Sequence, residues 1–268
     1  MMRTALIVND DGYKSAGIRA LQAELGAHYD ARAIAPADEQ SWKGKSISGY
    51  HQPLTLERKT YHEFDGFIAN GTPADCAQLG LYELFETLPD FVVSGINNGA
   101  NIGHAHIISS GTVGAAFEAA FQGVPAFASS VWGMYRDNPN VDFNDPDTTR
   151  HFRIAAGITR RIIDKVMAAG FPKSVQVIAI NIPVNAKADA PWLITRPHSV
   201  SYGRLFQLDG EVYRNTGSAE LKGDEAPNTD LEAIAKGNIS IVPISLQLTT
   251  DAGRQELSRI LDAPIFGE

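Results

Sequence analysis

The chain has 268 residues, 44% hydrophobic and 20% charged, the balance of an ordinary globular protein rather than of a disordered or membrane-embedded one. Its formal net charge is −8, from 31 acidic and 23 basic residues, so no summed positive field is available to hold a long nucleic-acid backbone. No apolar run approaches the roughly 20 residues that span a bilayer and no basic-then-apolar leader opens the sequence, so a cytoplasmic protein without membrane contact is expected.

In chain order, "TALIV" reads as a strand buried on both faces, and "SAGIRALQAELGAHY" repeats apolar residues at helical spacing. "ARAIAP", "PLTLER" and "DGFIAN" read as further strands. "TPADCAQLGLYELFET" reads as a helix, with Thr72 placed to cap it and Pro73 in its first turn. The single cysteine, Cys76, lies in this apolar-periodic stretch as a buried, inert thiol, and one cysteine excludes an internal disulfide framework or a cysteine-based metal cluster. "PDFVVSGIN" is a buried strand with a polar end, "SGTVGAAFEAAFQG" a helix closed at Gly123, and "VPAFASSV" the strand after it. "TTRHFRIAAGITRRIIDKVMAAG" carries the longest helical pattern and leads into the strand "VQVIAINIP".

From about residue 186 the texture changes. "LFQLDGEVYRN" signals a hairpin with an Asp-Gly turn, "NTDLEAIAKG" a short helix, "ISIVPISLQL" a strand and "DAGRQELSRILDA" a terminal helix. Strands alternating with helices predict an α/β fold with a mostly parallel sheet covered on both faces. A single domain over residues 1–268 is expected, with a core to about residue 185 and a C-terminal extension from about 186 whose hairpin reaches a partner subunit.

In such a sheet, ligands collect beyond the carboxyl ends of the strands, and the polar strand endings "NDDG", "PADEQS", "NGTPAD" and "SGINNGANIG" line up as one candidate site, whose chemistry four motifs carry. The first is "NDDG". Asp10 and Asp11 concentrate negative charge that folding tolerates only opposite a metal ion, a basic side chain or a helix N-terminus, and Gly12 permits the turn that brings both to one point. One aspartate before a helix is an ordinary cap; two leave a charge to be explained, and hard divalent cations favour such oxygen ligands. The second is "SGINNGANIG", where Asn97, Asn98 and Asn101 lie among three glycines and offer amide oxygens and backbone N–H groups, although Asn and Gly are also the commonest turn formers. The third is "SSGTVGAAFEAA", with Ser109, Ser110, Gly111 and Thr112 at a helix start, a natural phosphate seat. The fourth is "DEQSWKGKSIS", where Ser41 offers a hydroxyl, Lys43 and Lys45 offer clustered positive charge, and Trp42 offers a ring to stack on a flat one. His104 and His106 have metal-like spacing on a strand or loop, and either is a candidate general acid. Dinucleotide, P-loop and serine-hydrolase signatures are absent.

Taken together and in this order, "VNDDGYKSAGIRAL", "NGTPADCAQLGL", "VVSGINNGANIG" and "SGTVGAAFEAA" resemble the SurE family of metal-dependent nucleotidases or acid phosphatases, and the later "VIAINIP" and "NTDLEAIAKGNISIVPI" resemble its closing segments. The resemblance implies a Rossmann-like fold, a homodimer or homotetramer built by exchange of C-terminal elements, and hydrolysis of nucleoside monophosphates or other small phosphate esters. It implies one divalent ion per subunit, Mg²⁺ or Mn²⁺, held by Asp10, Asp11, Ser41 and Asn97, with Asp10 and Asn97 catalytic. Asn9, Asn101, Ser110, Gly111, Thr112 and Lys43 fall where phosphate or substrate is bound. Two loops depart from the family pattern: Trp42 and Lys43 replace glycine and small residues, and "HAHIIS" replaces an acidic stretch with a tyrosine. The mechanism implied is attack by a metal-activated water that Asp10 orients or deprotonates; the alternative within the class is covalent attack by Asp10. A rival from another class is a sensor that binds nucleotide and metal without turnover.

Overall fold

A computed structural model describes residues 2–133, 146–199, 203–215 and 227–266. The chain opens with β1 (Thr4–Val8), α1 (Ala16–Gly26) and β2 (Asp30–Pro36), then β3 (Leu56–Tyr61), β4 (Phe64–Ala69) and α2 (Pro73–Glu83). It continues through β5 (Phe91–Asn98), α3 (Gly103–Ser109), α4 (Gly111–Phe121), β6 (Ala126–Trp132), α5 (Pro146–Ala169) and β7 (Val177–Pro183). It closes with β8 (Trp192–Ile194), β9 (Phe206–Asp209), β10 (Val212–Asn215), α6 (Asp230–Ala235), β11 (Ile239–Ile244) and α7 (Asp251–Leu261).

Nine strands form one sheet in the order β3-β4-β2-β1-β5-β6-β7-β11-β8, parallel except where β3 meets β4 and β11 meets β7. The expected mostly parallel α/β sheet is therefore present. The pleat of β1 explains the two cores. Ala5 and Ile7 face one side with Ile18 and Leu21 of α1, Phe91, Phe127 and Phe152 of α5; Leu6 and Val8 face the other with Cys76 and Leu81 of α2 and Val113 of α4. Cys76 is buried as expected, and burial pushes its thiol up, away from the reactive thiolate.

The strand order reverses direction between β1 and β5. The chain runs outward from β1 through β2, then returns to place β5 on the other side of β1. That reversal opens a crevice at the carboxyl ends of these two strands, where Asp10 and Asn97 emerge. Helix α1 packs close enough that a Cβ on Gly17 would lie 1.8 Å from the Ile96 carbonyl oxygen, so residue 17 is glycine because the end of β5 occupies that space.

Helix α2 begins with a reciprocal cap. The Thr72 hydroxyl accepts the Asp75 N–H at 3.1 Å, and Asp75 accepts the Thr72 N–H at 2.8 Å. The same carboxylate also accepts the Ser48 N–H at 2.9 Å, the Ser48 hydroxyl at 2.5 Å and the Gly49 N–H at 3.2 Å. Asp75 thus fastens the loop after β2, which carries Ser41 and Trp42, to the start of α2.

The segment after residue 186 divides. Strands β8 and β11 join the main sheet, whereas the β9–β10 hairpin is a separate two-stranded ribbon with every residue exposed, and α7 buries none of its residues. The Asp-Gly turn and the terminal helix lie where the sequence placed them. Strand β8, three residues long, has no counterpart among the expected elements, and α3 is helical where a strand or loop is expected. Among the described residues no helix is long and apolar enough to cross a membrane.

Two stability outcomes follow from these contacts. Gly17→Ala forces helix α1 and the end of β5 apart and is expected to lower the unfolding free energy by about 3 kcal/mol, read from the midpoint of urea denaturation; an unchanged midpoint overturns the packing argument. For Asp75, burial alone would raise the carboxyl, but the hydrogen bonds from Ser48, Thr72 and Gly49 prevail and hold it below the ordinary carboxylate range. Its contribution is present above the unfolded-state pKa and disappears as pH falls through the folded-state value. Asp75→Asn is expected to cost about 2 kcal/mol at pH 7, with the gap to wild type closing below pH ~4; a gap independent of pH down to the acid transition contradicts the ionised role.

Candidate active site

Asp10 leaves β1 fully buried and meets the N-terminus of α4. Its Oδ1 accepts the Thr112 hydroxyl at 2.5 Å, the Thr112 N–H also donates to the carboxylate, and the Asp10 carbonyl accepts the Gln40 N–H at 2.8 Å. Asp11 accepts the Asn98 N–H at 3.1 Å. Of the three partners considered for this pair, the helix N-terminus is met by Asp10 and the basic side chain is missing: among the described residues neither aspartate has an ion pair. Lys45 instead pairs with Glu118, its ammonium 5.3 Å from the Phe121 ring centroid. Lys43 stays exposed beside Trp42.

The consequence is an unneutralised charge. Burial lifts the Asp10 carboxyl to about 6 against the hydrogen bonds from Thr112, and Glu39 adds further repulsion. Burial and the charge of Asp10 push Asp11 well above the ordinary range. Around the pair lie buried amide atoms without a hydrogen-bond partner: Asn9 Oδ1 and both Asn98 Oδ1 and Nδ2. Asn9 Nδ2 is used, donating to the Gly12 carbonyl at 2.9 Å and so bracing the turn that separates the two aspartates from α1.

A cavity of about 210 Å³ opens above this floor, lined by Asp10, Ser41, Trp42, Asn97, Asn101 and Ser110 among others. Ser41 donates its hydroxyl to Glu39 at 2.7 Å and keeps its oxygen lone pairs. Asn97 donates its Nδ2 to the Gly99 carbonyl, which leaves Oδ1 as an acceptor. Asp10, Ser41 and Asn97 line the cavity, and Asp11 follows Asp10 in the chain; carboxylate, hydroxyl and amide oxygens with excess negative charge are donors that fit a hard divalent cation. No group of three or more His, Cys, Asp or Glu among the described residues suggests a second type of metal site.

The three hydroxyls before and within α4 each have a local role. Ser109 donates to the Ala105 carbonyl at 3.0 Å, Ser110 caps α4 by accepting the Val113 N–H at 3.1 Å, and Thr112 holds Asp10. Thr112, expected near phosphate, therefore reaches the site through Asp10. Gly111 is required by proximity, since a Cβ there would sit 2.9 Å from the Asp10 Cβ and 3.1 Å from the Gln40 carbonyl oxygen.

His104 and His106 do not form a metal pair. They lie on α3, where residues two apart face different directions. His104 Nδ1 bonds the His198 carbonyl at 3.2 Å, while His106 alone lines the cavity, its Nδ1 on the Ile102 carbonyl at 3.1 Å. Burial holds the His106 imidazole below its ordinary value.

Three residues outside the expected set shape the site. Asn181, at the end of β7, accepts the Asn101 N–H at 2.9 Å and donates to the Asn101 carbonyl at 3.1 Å, while Asn101 donates to Ser130 at 2.8 Å. Asp230, fully buried at the start of α6, accepts the Gly103 N–H at 2.7 Å and the His198 N–H at 2.9 Å, tying α3 to the C-terminal segment. The lone asparagine in the apolar strand "VIAINIP" was the one readable signal for this group.

Comparison with known proteins agrees with this geometry. Residues 5–204 match the family described as Survival protein SurE. A protein named 5'-nucleotidase SurE from Methanosarcina mazei is 35% identical over 271 residues, covering 97% of this chain and 98% of that protein. One of the same name from Natronomonas pharaonis is 39% identical over 246 residues, covering 90% of this chain and 91% of its own. The crystal structure of the SurE protein from Aquifex aeolicus superposes with a TM-score of 0.77 at 32% identity, over 97% of this chain and all of that one. With the family match covering the aspartate pair, the loops around the cavity and the sheet strands other than β11, and relatives matching nearly the full length, the chain belongs to the SurE family.

Proposed function

We propose that this chain is a metal-dependent phosphomonoesterase that hydrolyses nucleoside monophosphates. The observation that carries the reading is the Asp10–Asp11 pair, with Asp10 buried and Asp11 half-buried, which has no ion-pair partner among the described residues; Asp10 lines a cavity together with Ser41 and Asn97. The names of the relatives point the same way. Asp10, Asp11, Ser41 and Asn97 would hold one divalent ion, Mg²⁺ or Mn²⁺, which when bound neutralises phosphate charge and makes water a stronger nucleophile.

The chain's own residues supply the rest. Thr112 fixes the Asp10 carboxylate through Oδ1, and Asp10 orients the attacking water or accepts its proton. The water oxygen forms the new bond to phosphorus, the P–O bond to the sugar breaks, and the leaving alkoxide takes up the proton that the water gave to Asp10. Asn97 holds its amide beside Asp10 in the cavity floor, and Asn101, Ser110 and Lys43, with Gly111 at the α4 N-terminus, are assigned to the phosphate oxygens, whose charge spreads in a loose transition state. Asn9 keeps the turn between β1 and α1 in shape.

The same reading makes the chain one working domain that acts as a homodimer or homotetramer in the cytoplasm. Support for assembly comes from the extension, where Leu248, Leu257, Ile260, Leu261 and Phe266 are more than half exposed on or beside α7 and the hairpin exposes Phe206, Leu208 and Tyr213.

Two outcomes test the proposal. Purified protein given AMP or GMP is expected to release phosphate with Mg²⁺ or Mn²⁺, to stop in EDTA, and to lose about 10³-fold in kcat as Asp10→Asn; nucleotide binding without release selects the sensor instead. Leu257→Glu combined with Ile260→Glu is expected to shift the mass in light scattering towards the monomer, and an unshifted oligomer removes α7 from the interface.

A further inference from the structure

Trp42 stands on the rim of the cavity in a conformation that needs a reason. Its backbone lies at φ 64°, a region where bulky residues are rare, and its side chain is 51% exposed. The loop beneath it is fixed: the Gly44 N–H donates to the Ser109 carbonyl at 2.9 Å, and α4 presses so closely that a Cβ on Gly114 would lie 2.2 Å from the Gly44 carbonyl oxygen. The indole lies 6.0 Å, centroid to centroid, from the His106 ring at an interplanar angle of 55°. Both rings line the cavity that contains Asp10, Ser41 and Asn97.

The size of the cavity places the ligand. At about 210 Å³ it is smaller than the roughly 300–1,000 Å³ of sites that enclose a whole drug-sized ligand. A phosphate and its sugar fill such a volume, and whatever is attached to the sugar must lie at the rim. The rim offers an indole on a loop tied to α3 and α4 through Gly44, and every nucleobase has a π-face to lay against it.

We infer that Trp42, with His106 beside it, is the stacking platform for the nucleobase, and that it makes this chain favour nucleoside monophosphates over phosphate esters that lack a ring. The inference rests on the reading of the cavity as a phosphomonoester site. It assigns Trp42 to specificity, separate from the aspartates that carry out the chemistry.

The experiment compares kcat/KM for GMP with that for ribose 5-phosphate in wild type, Trp42→Gly and Trp42→Phe. Glycine takes φ 64° without strain, so Trp42→Gly preserves the loop backbone while removing the ring. The ratio of the two kcat/KM values is expected to fall roughly tenfold in Trp42→Gly and to recover most of that in Trp42→Phe. A ratio that does not move, with both substrates affected alike, is what a merely structural tryptophan produces and overturns the inference. If wild type releases phosphate from neither ester, the hydrolase reading fails, and calorimetric titration with GMP and ribose 5-phosphate then decides on the platform alone. GMP binding weakened about tenfold by Trp42→Gly sustains it; no GMP binding, or binding that the variant leaves unchanged, overturns it.

Discussion

Two adjacent carboxylates at the buried end of the first strand set the terms for the rest of the site. An ionised group taken out of water is costly unless donors or opposite charge surround it. Here the donors are supplied by backbone and hydroxyl groups: Thr112 at the start of α4 for Asp10, and the Asn98 N–H at the end of β5 for Asp11. Neutral donors lessen the cost without cancelling the charge, which is why both carboxyls remain raised and why the residual demand is for a cation.

Meeting that demand from several loops at once dictates the local packing. The β1 end, the loop after β2, the end of β5 and the start of α4 must approach within side-chain reach of one point, and the close contacts at Gly17 and Gly111 are the steric record of that approach. The sheet order makes it possible, because β1 lies between β2 and β5 and the crevice forms where the connections part. Farther out, the exchange of hydrogen bonds between Asn101 and Asn181 ties the loop after β5 to β7, so the wall of the cavity is braced by a strand two positions away in the sheet.

Most of the sheet and the larger helices were legible, since β1, β5 and β7 are apolar runs bounded by polar turns and α2 carries its cap in the Thr72 to Asp75 spacing. Helix α3 was not. "GHAHIIS" is seven residues long, starts on glycine and contains two adjacent isoleucines, so local preference favours an extended reading. The helix exists because Asp230, more than a hundred residues later, accepts the Gly103 N–H, and no local pattern encodes that contact. The candidate site was visible as residue types at strand ends. The division of labour within it was not: three hydroxyls in "SSGT" look alike in sequence, and only the fold distinguishes the one that holds Asp10 from the one that caps a helix.

Floor and wall of the cavity are therefore mounted differently. The floor, with Asp10, Asp11 and Asn97, sits at or directly after the ends of the paired central strands β1 and β5. The ring-bearing wall, with Trp42 and His106, is carried by the loop after β2 and by α3. Asp75 anchors that loop to α2, and Asp230 anchors α3 to the C-terminal segment. Substitution in the wall can alter what the cavity accepts without disturbing the carboxylates, because no hydrogen bond of Asp10 or Asp11 described above runs through Trp42 or His106. The extension contributes to that wall through the same buried Asp230, which receives one N–H from α3 and another from His198.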